Sequence, residues 1–398
     1  MTVIKRIAAV NNADKLAVIT LFQNLYLYNH VSALYMQARG LTLLQVNSIS
    51  SIMFAAIIVA EVPTGVIADR IGRKKSVVVA LFLQFLGEVF FLFAKNFPAF
   101  VSIAVLGGIG YSFMSGANEA LIYDSLPLQD RENRMKQAMG AIGGTYQLAF
   151  FIAPLLGGWV ISKLVTSRYL LGIGLTALSV FVACLLSLSL KEPEGAFRRA
   201  PENPLGILRR GLSQIRRNRK VRWIAAVAVF TGAFSNTLVN FYQPYFVEFG
   251  LNTSMPMGVA LSLGGLTAFL IQRNIAAIEN RLGKFALAIL SIVPGLLYVL
   301  FALTTRLTAL IPVFVLTYAF TDAKNPLVSA YQNEHIESRS RATTISLINM
   351  ARSLYVAAMG IFLGWIANSS IPAVFLVIGA IVILSTLLLR VDKMTSGI

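Results

Sequence analysis

Apolar runs of about twenty residues alternate with short charged connections along nearly the whole chain. Crossing the hydrocarbon of a bilayer takes roughly twenty mostly apolar residues in a helix. Twelve runs meet that length: 16 to 38, 44 to 68, 76 to 96, 98 to 123, 137 to 162, 169 to 190, 221 to 246, 256 to 278, 285 to 304, 308 to 331, 342 to 367 and 371 to 389, numbered spans 1 to 12 in order. Placing the N-terminus in the cytoplasm puts 26 of the 34 Lys and Arg residues in cytoplasmic segments. Five, Arg39, Lys95, Lys163, Arg168 and Arg306, fall outside, and three, Arg273, Lys324 and Arg352, fall within spans. A missed or invented span would invert every later loop and erase this bias. The charge pattern therefore supports both the number of spans and their orientation, with both termini cytoplasmic.

The 398 residues are 57% hydrophobic and 13% charged. Soluble domains carry about a quarter charged residues, so the expected class is an all-α, multi-pass protein of the cytoplasmic (inner) membrane. In a soluble chain the formal net charge of +17 would suggest a polyanionic partner. Here the cations lie between membrane runs, where anionic lipid is the counterpart, and nucleic acid is not expected. One cysteine, Cys184, and two histidines allow no internal disulfide and no Cys/His metal cluster. Residues 1 to 14 lack a signal-peptide layout, so span 1 is expected to be retained.

The longest connection, Lys191 to Lys220, divides the chain into a first bundle (1–190), a basic linker (191–220) and a second bundle (221–398). Its tract Arg209-Arg210, Arg216-Arg217 and Arg219-Lys220, spaced with Ile207, Leu208, Leu212 and Ile215, fits an amphipathic helix on the cytoplasmic leaflet. A solvated linker fits the same composition. The two bundles repeat: Tyr35-x4-Gly40-Leu41 recurs as Tyr245-x4-Gly250-Leu251, 210 residues on, and Gly158-Trp159 recurs as Gly364-Trp365, 206 residues on. At an offset of 211, Ile67-Ala-Asp69-Arg70-Ile-Gly72-Arg73 recurs in eroded form as Ile278-Glu-Asn280-Arg281-Leu-Gly283-Lys284.

The turn between spans 2 and 3 reads Gly65-Val-Ile-Ala-Asp69-Arg70-Ile-Gly72-Arg73-Lys74. Its cations are expensive to place in hydrocarbon and pin it to the cytoplasmic face. A basic anchor explains the cations but not two glycines and an aspartate at fixed spacing. At these residues the chain resembles the major facilitator superfamily, whose loop between helices 2 and 3 carries G-x-x-x-D-R-x-G-R-[KR]. The resemblance implies twelve transmembrane helices in two six-helix, pseudo-symmetric bundles and alternating access. It also implies that Asp69 meets the positive N-terminal end of span 11 in the outward-facing state. Within the first bundle, Arg70 and Arg73 have Asp124 and Glu132 as candidate partners, and Asp69 has Arg131 and Arg134.

Span 5 reads Gly140-x8-Ala149-x3-Ala153-Pro154-x2-Gly157-Gly158. It is similar to the G-x8-G-x3-G-P-x2-G-G pattern of the proton-coupled exporters in that superfamily, with two glycines replaced by alanine. Small residues at these intervals also serve ordinary close helix packing. The chain departs from the exporters at Ala104, where span 4 often carries an arginine, and in span 1, which offers Asn24, Asn29 and His30 in place of an acid.

Ionisable groups at membrane depth are costly and mark functional candidates. The first bundle contributes Glu61, Glu88 and Glu119, the second Arg273, Asp322, Lys324 and Arg352. This polarity suggests acids that carry protons facing cations that hold an anionic group of the substrate. Glu119 is the first choice for the proton. Glu61 serves either as a carrier or as a latch to Arg273, and Glu88 is expected to face a neighbouring helix. Arg352 is the candidate for an anion, or an ion-pair partner of Asp322 or Glu61, while Lys324 is able to snorkel to the cytoplasmic surface. His30 titrates near neutral pH if it is not held as a helix histidine. Aromatic residues such as Tyr26, Tyr28, Tyr35, Tyr242, Tyr245 and Tyr355 fall in spans that the resemblance assigns to a cavity lining.

No phosphate-binding loop, catalytic triad or metal cluster is present in the sequence, so neither an enzyme nor a cofactor is expected. The expected partners are protons, membrane lipid and a small-molecule substrate, and the expected state is a monomer. The expected function is proton-coupled export of a small amphipathic compound, either a drug or a secondary metabolite such as a carboxylate-bearing siderophore. Proton-coupled import of a sugar or organic anion is the alternative, and a non-transporting membrane sensor is a third class.

Overall fold

Backbone polar groups inside hydrocarbon must bond to one another, and a chain of long apolar runs meets that demand with helices. The structure, a computed structural model, describes residues 11–127, 129–193, 212–232, 234–336 and 341–391. Among these residues there is no strand, and one isolated antiparallel bridge pairs Lys163 with Thr253.

Span 1 consists of α1 (Asn12–Gln23), a 3-10 turn (Asn29–Val31) and α2 (Ser32–Ala38). Spans 2 to 6 are single helices: α3 (Leu43–Ile71), α4 (Arg73–Phe93), α5 (Phe97–Ser125), α6 (Arg131–Val160) and α7 (Thr166–Ser187). Span 7 is α8 (Arg219–Phe230) plus α9 (Ser235–Glu248), and span 8 is α10 (Ser254–Arg273), followed by the short α11 (Ile275–Leu282). Span 9 is α12 (Ala286–Leu303), and span 10 is α13 (Leu307–Thr321) plus α14 (Asn325–His335). Spans 11 and 12 are α15 (Arg341–Ala367) and α16 (Ile371–Leu388). Eleven of the twelve expected spans are long and apolar enough to cross a membrane by length and composition. Span 1, in helical pieces of 12 and 7 residues separated by residues 24–31, falls outside that count.

Each break has a local cause. At the end of α1, Asn24 bonds back to the Thr20 carbonyl through Nδ2 at 2.8 Å, an alternative to continued helix. Thr231 does the same to Val227 at 2.7 Å at the end of α8, and Gly232 follows it. In span 10, Pro326 stands in the first turn of α14, where its missing N–H costs nothing but α13 cannot run on into it.

The helices form two units. The first holds Met1–Leu41, Ile52–Arg199 and Thr253–Ser262, and the second holds Thr42–Ser51, Ala200–Asn252 and Leu263–Ile398. Within the first, Leu16, Ile19, Val77, Leu81, Leu121 and Ile142 belong to one buried core; within the second, Ile224, Val227, Leu287, Leu290 and Leu327 belong to another. Apolar side chains such as Val59 (75% exposed), Trp159 (76%) and Leu388 (80%) stay uncovered, as residues that meet lipid should.

The internal repeat extends to packing. Tyr35 contacts Phe91 and Tyr169, and its hydroxyl donates to the Phe91 carbonyl at 3.0 Å. In the second unit Tyr245 contacts Phe301 and Phe375 and donates to the Ala302 carbonyl at 3.2 Å. A Cβ on Gly158 would lie 3.0 Å from Met255 Cα in the first unit, and one on Gly364 would lie 2.9 Å from Leu44 Cα in the second. Residue for residue, these are the same contacts at offsets of 206 to 211.

Of the expected linker helix, Ile207, Leu208, Arg209 and Arg210 lie outside the described residues. Residues 212–217 are helical, with Ile215 packed near Val221, Ile336 and Ile348 while Arg216 and Arg217 are exposed.

Candidate functional site

A polar cluster in the second unit forms where spans 7 and 10 are broken. A helix break inside a membrane frees backbone carbonyls, and here basic side chains take them. Lys324, between α13 and α14, is 1% exposed, and its Nζ donates to the Thr231 carbonyl at the end of α8. Arg352, from α15, donates through Nη2 to the Gly232 carbonyl at 2.7 Å. Asp322 closes the group. It accepts from Ser235 Oγ and, at 2.9 Å, from Asn325 Nδ2, and it pairs with Arg352 at 3.6 Å. Gln272 Nε2 donates to the Asp322 carbonyl at 3.2 Å.

Two basic side chains, one of them the buried Lys324, and one carboxylate make up this cluster. The Asp322 and Arg352 side chains are 31% and 35% exposed, so the pair is partly accessible. The expected Arg352–Asp322 pairing is present. Lys324 does not snorkel: the break turns it inward, onto a carbonyl that would otherwise be unpaired. Thr231, Gly232, Ser235 and Asn325 were not singled out from sequence. The signals for them were Thr-Gly and Asn-Pro inside otherwise apolar runs.

The first unit builds a smaller polar site at the break in span 1. Tyr28 donates its hydroxyl to Glu88 Oε2 at 2.9 Å, both residues being buried. One turn earlier on α4, Gln84 accepts from Gln23 Nε2 at 3.0 Å. Glu88 thus faces a neighbouring segment, as expected. His30 is fully buried, with Nε2 2.6 Å from Ser254 Oγ, so it is a held helix histidine rather than an open one. Glu61, Glu119 and Arg273 are exposed on their helices.

At the hinge, Gly65, Asp69 and Arg70 end α3, Gly72 makes the turn, and Arg73 and Lys74 begin α4. Asp69 pairs with Arg73 at 2.9 Å within the turn. Arg131 is engaged elsewhere, donating to the Leu126 carbonyl at 2.9 Å and lying over the Tyr123 ring. The residue not anticipated is Glu192, just beyond span 6. Its two carboxylate oxygens accept the backbone N–H of Arg73 at 2.7 Å and of Lys74 at 2.9 Å. Gly72 sits at φ +101°, and a Cβ there would lie 2.8 Å from Glu192 Oε2, so both backbone and space require glycine.

The small-residue pattern of span 5 is a packing face. Ala149, Ala153, Pro154, Gly157 and Gly158 are buried on α6. A Cβ on Gly157 would lie 1.8 Å from the Leu27 carbonyl oxygen and 2.7 Å from His30 Cε1, so span 1 meets bare backbone there. Gly140, in the same pattern, is exposed with open space around it. Several aromatics expected at a cavity are core residues: Tyr35, Tyr242 and Tyr245 are at most 1% exposed, with Tyr242 stacked on Phe314 at 4.2 Å.

Comparison with known proteins places these features in a family. The profile of the Major Facilitator Superfamily matches residues 16–358. The uncharacterized MFS-type transporter YxaM of Bacillus subtilis is 22% identical over 369 residues, covering 91% of this chain and 90% of that protein. Multidrug resistance protein 2 of the same organism is 24% identical over 274 residues, covering 66% of this chain and 65% of its own. Among solved structures, a D323A mutant of the nucleoside transporter NupG matches with a TM-score of 0.79 at 15% identity, covering 96% of this chain and 99% of that one. A POT family transporter in complex with 5-aminolevulinic acid matches with a TM-score of 0.76 at 16% identity, covering 96% of each chain.

Proposed function

The chain belongs to the major facilitator superfamily and is a multi-pass secondary transporter, and from that premise we propose that it exports a small amphipathic compound bearing an anionic group, driven by the proton gradient. The observation that carries this reading is the basic cluster at the breaks of spans 7 and 10. Arg352 and Lys324 supply donors, and Asp322 occupies Arg352 until a substrate anion replaces it. An equilibrium between conformations shifts only through contacts that differ between them, and exchange of the Asp322 pair for a substrate pair is such a difference. The Asp69–Arg73 pair at the hinge is a second contact able to differ between conformations.

Export rather than import is supported by the Pro154-x2-Gly157-Gly158 end of span 5, which packs against span 1 with no side chain between. A carboxylate-bearing drug or secondary metabolite suits the cluster. The protein works in the cytoplasmic membrane, as a monomer, with both termini cytoplasmic and without a cofactor.

The test is a comparison of a deletion strain with its parent, by susceptibility to amphipathic acids and by profiling of metabolites inside and outside the cells. Export predicts a carboxylate-bearing compound retained inside the deletion strain. A compound depleted inside it, and left in the medium, would establish import instead.

A further inference from the structure

Resting on the proton-coupled reading, we propose that Glu88, with Tyr28 as its hydrogen-bond donor, is the proton-binding site of the transport cycle. Glu88 lies in the last third of α4, a membrane span, and is 8% exposed. Its Oε2 takes the Tyr28 hydroxyl; Oε1 takes no hydrogen bond and neither oxygen an ion pair among the described residues. A buried carboxylate with a single donor and no cation is expensive. Binding a proton at Oε1 relieves that cost.

Among the described residues the nearest cation recorded on this face is Arg39, which lies over the Tyr35 ring and donates to the Tyr35 hydroxyl at 3.2 Å and to the Leu92 carbonyl at 3.5 Å, and no ion pair joins it to Glu88. Tyr26 and Tyr28 face Glu88 from the break in span 1, with Tyr146 of α6 beyond Tyr26 and Tyr35 of α2 beyond Tyr28. Helices α5 and α7 approach this face of α4 with Ile103 beside Gly87 and Phe181 against Phe85. Glu61 and Glu119, by contrast, are exposed.

The repeat supplies an internal control. At the offset of 210 that relates Phe91 to Phe301, the counterpart of Glu88 is Tyr298. Its buried hydroxyl donates to the Phe234 carbonyl at the break in span 7, at 3.4 Å, and takes Thr321 Oγ1 at 3.3 Å. Bridging this helix face to the broken span therefore requires a hydroxyl, not an acid. Glu88 does the bridging and adds a place for a proton.

The step balances simply. Glu88 Oε1 takes one proton from water on one side of the membrane and returns it to water on the other, while Tyr28 keeps its own proton and donates to Oε2 throughout. When Glu88 is ionised, the Tyr28 bond becomes charge-assisted and shortens. The broken segment 24–28 then holds a different position in the two protonation states.

Infrared difference spectra of the full-length protein in lipid, recorded between pH 5 and 9, test the assignment without a substrate. The expected result is a carboxyl C=O band that titrates in the wild type, disappears in Glu88→Gln, persists in Glu119→Gln and shifts in Tyr28→Phe. A titrating band that survives Glu88→Gln, or one that ignores Tyr28→Phe, overturns it. Flux in membrane vesicles separates this claim from the one beneath it. If a pH gradient drives flux in Glu88→Gln as in wild type, the Glu88 assignment fails and proton coupling stands. If the gradient drives nothing in wild type, coupling fails, and the band alone decides whether Glu88 binds a proton.

Discussion

Replacing Glu192 by alanine should release the hinge. The amides of Arg73 and Lys74 belong to the first turn of α4, where backbone donors have no helical partner. In the structure one carboxylate takes both, at 2.7 and 2.9 Å. Hydrogen bonds to a charged group contribute about 1.5–3 kcal/mol each, and an anion at a helix N-terminus a further 0.3–1 kcal/mol or so. Glu192 is half-buried, so water competes and the low end applies. Two such bonds at the low end, with the smaller helix-end term, give about 3 kcal/mol for the clamp as a whole, roughly a 150-fold change in opening. Hydrogen–deuterium exchange of the peptide carrying Arg73 and Lys74, in the full-length protein in lipid nanodiscs, should accelerate by about that factor in Glu192→Ala. Glu192→Gln keeps one acceptor and should lose about 1.5 kcal/mol, roughly 13-fold. Gly72→Ala should mimic Glu192→Ala, because its Cβ would occupy the place of the carboxylate. Exchange within about twofold of wild type in Glu192→Ala would show that the clamp does not hold the turn, and that the segment after span 6 is not tied to the hinge.

Three further outcomes follow from the geometry. Gly157→Ala should lower thermal stability in detergent by about 1–3 kcal/mol or more through overpacking against Leu27, while Gly140→Ala, with open space around it, should be neutral or slightly stabilising; equal effects would show that span 5 does not pack as described. Arg352→Ala should weaken apparent affinity for an anionic substrate by about 10- to 150-fold, the loss of one charged hydrogen bond of 1.5–3 kcal/mol, with Arg352→Lys intermediate; unchanged half-saturation in a flux assay would remove Arg352 from the site. Asp69→Asn should leave the circular dichroism spectrum and expression intact but slow turnover, and wild-type transport rates in that variant would refute the gating role.

The span pattern was legible because hydropathy averages over twenty residues and charge bias checks each loop. The hinge turn was legible because Gly72 and the cations are local. The breaks in spans 1, 7 and 10 were hidden by the same averaging: Asn24, Thr231-Gly232 and Asn325-Pro326 interrupt helices without interrupting apolar runs. Lys324 was read as snorkelling because a continuous span 10 would have pointed it toward the surface. The Glu192 clamp escaped because its partners lie nearly 120 residues away in sequence, and nothing in a Lys-Glu-Pro segment names a long-range acceptor. Glu88 was visible as a buried acid, but its partner Tyr28 became apparent only once the break in span 1 had turned that ring onto α4.

The central claim, proton-driven outward movement of an anionic amphipathic compound, is tested most directly by flux in vesicles under an imposed pH gradient, using the compound retained by the deletion strain. Inverted vesicles made acidic inside should accumulate it, and a protonophore should abolish the accumulation. Accumulation only in right-side-out vesicles, or uptake indifferent to the gradient, would contradict the account.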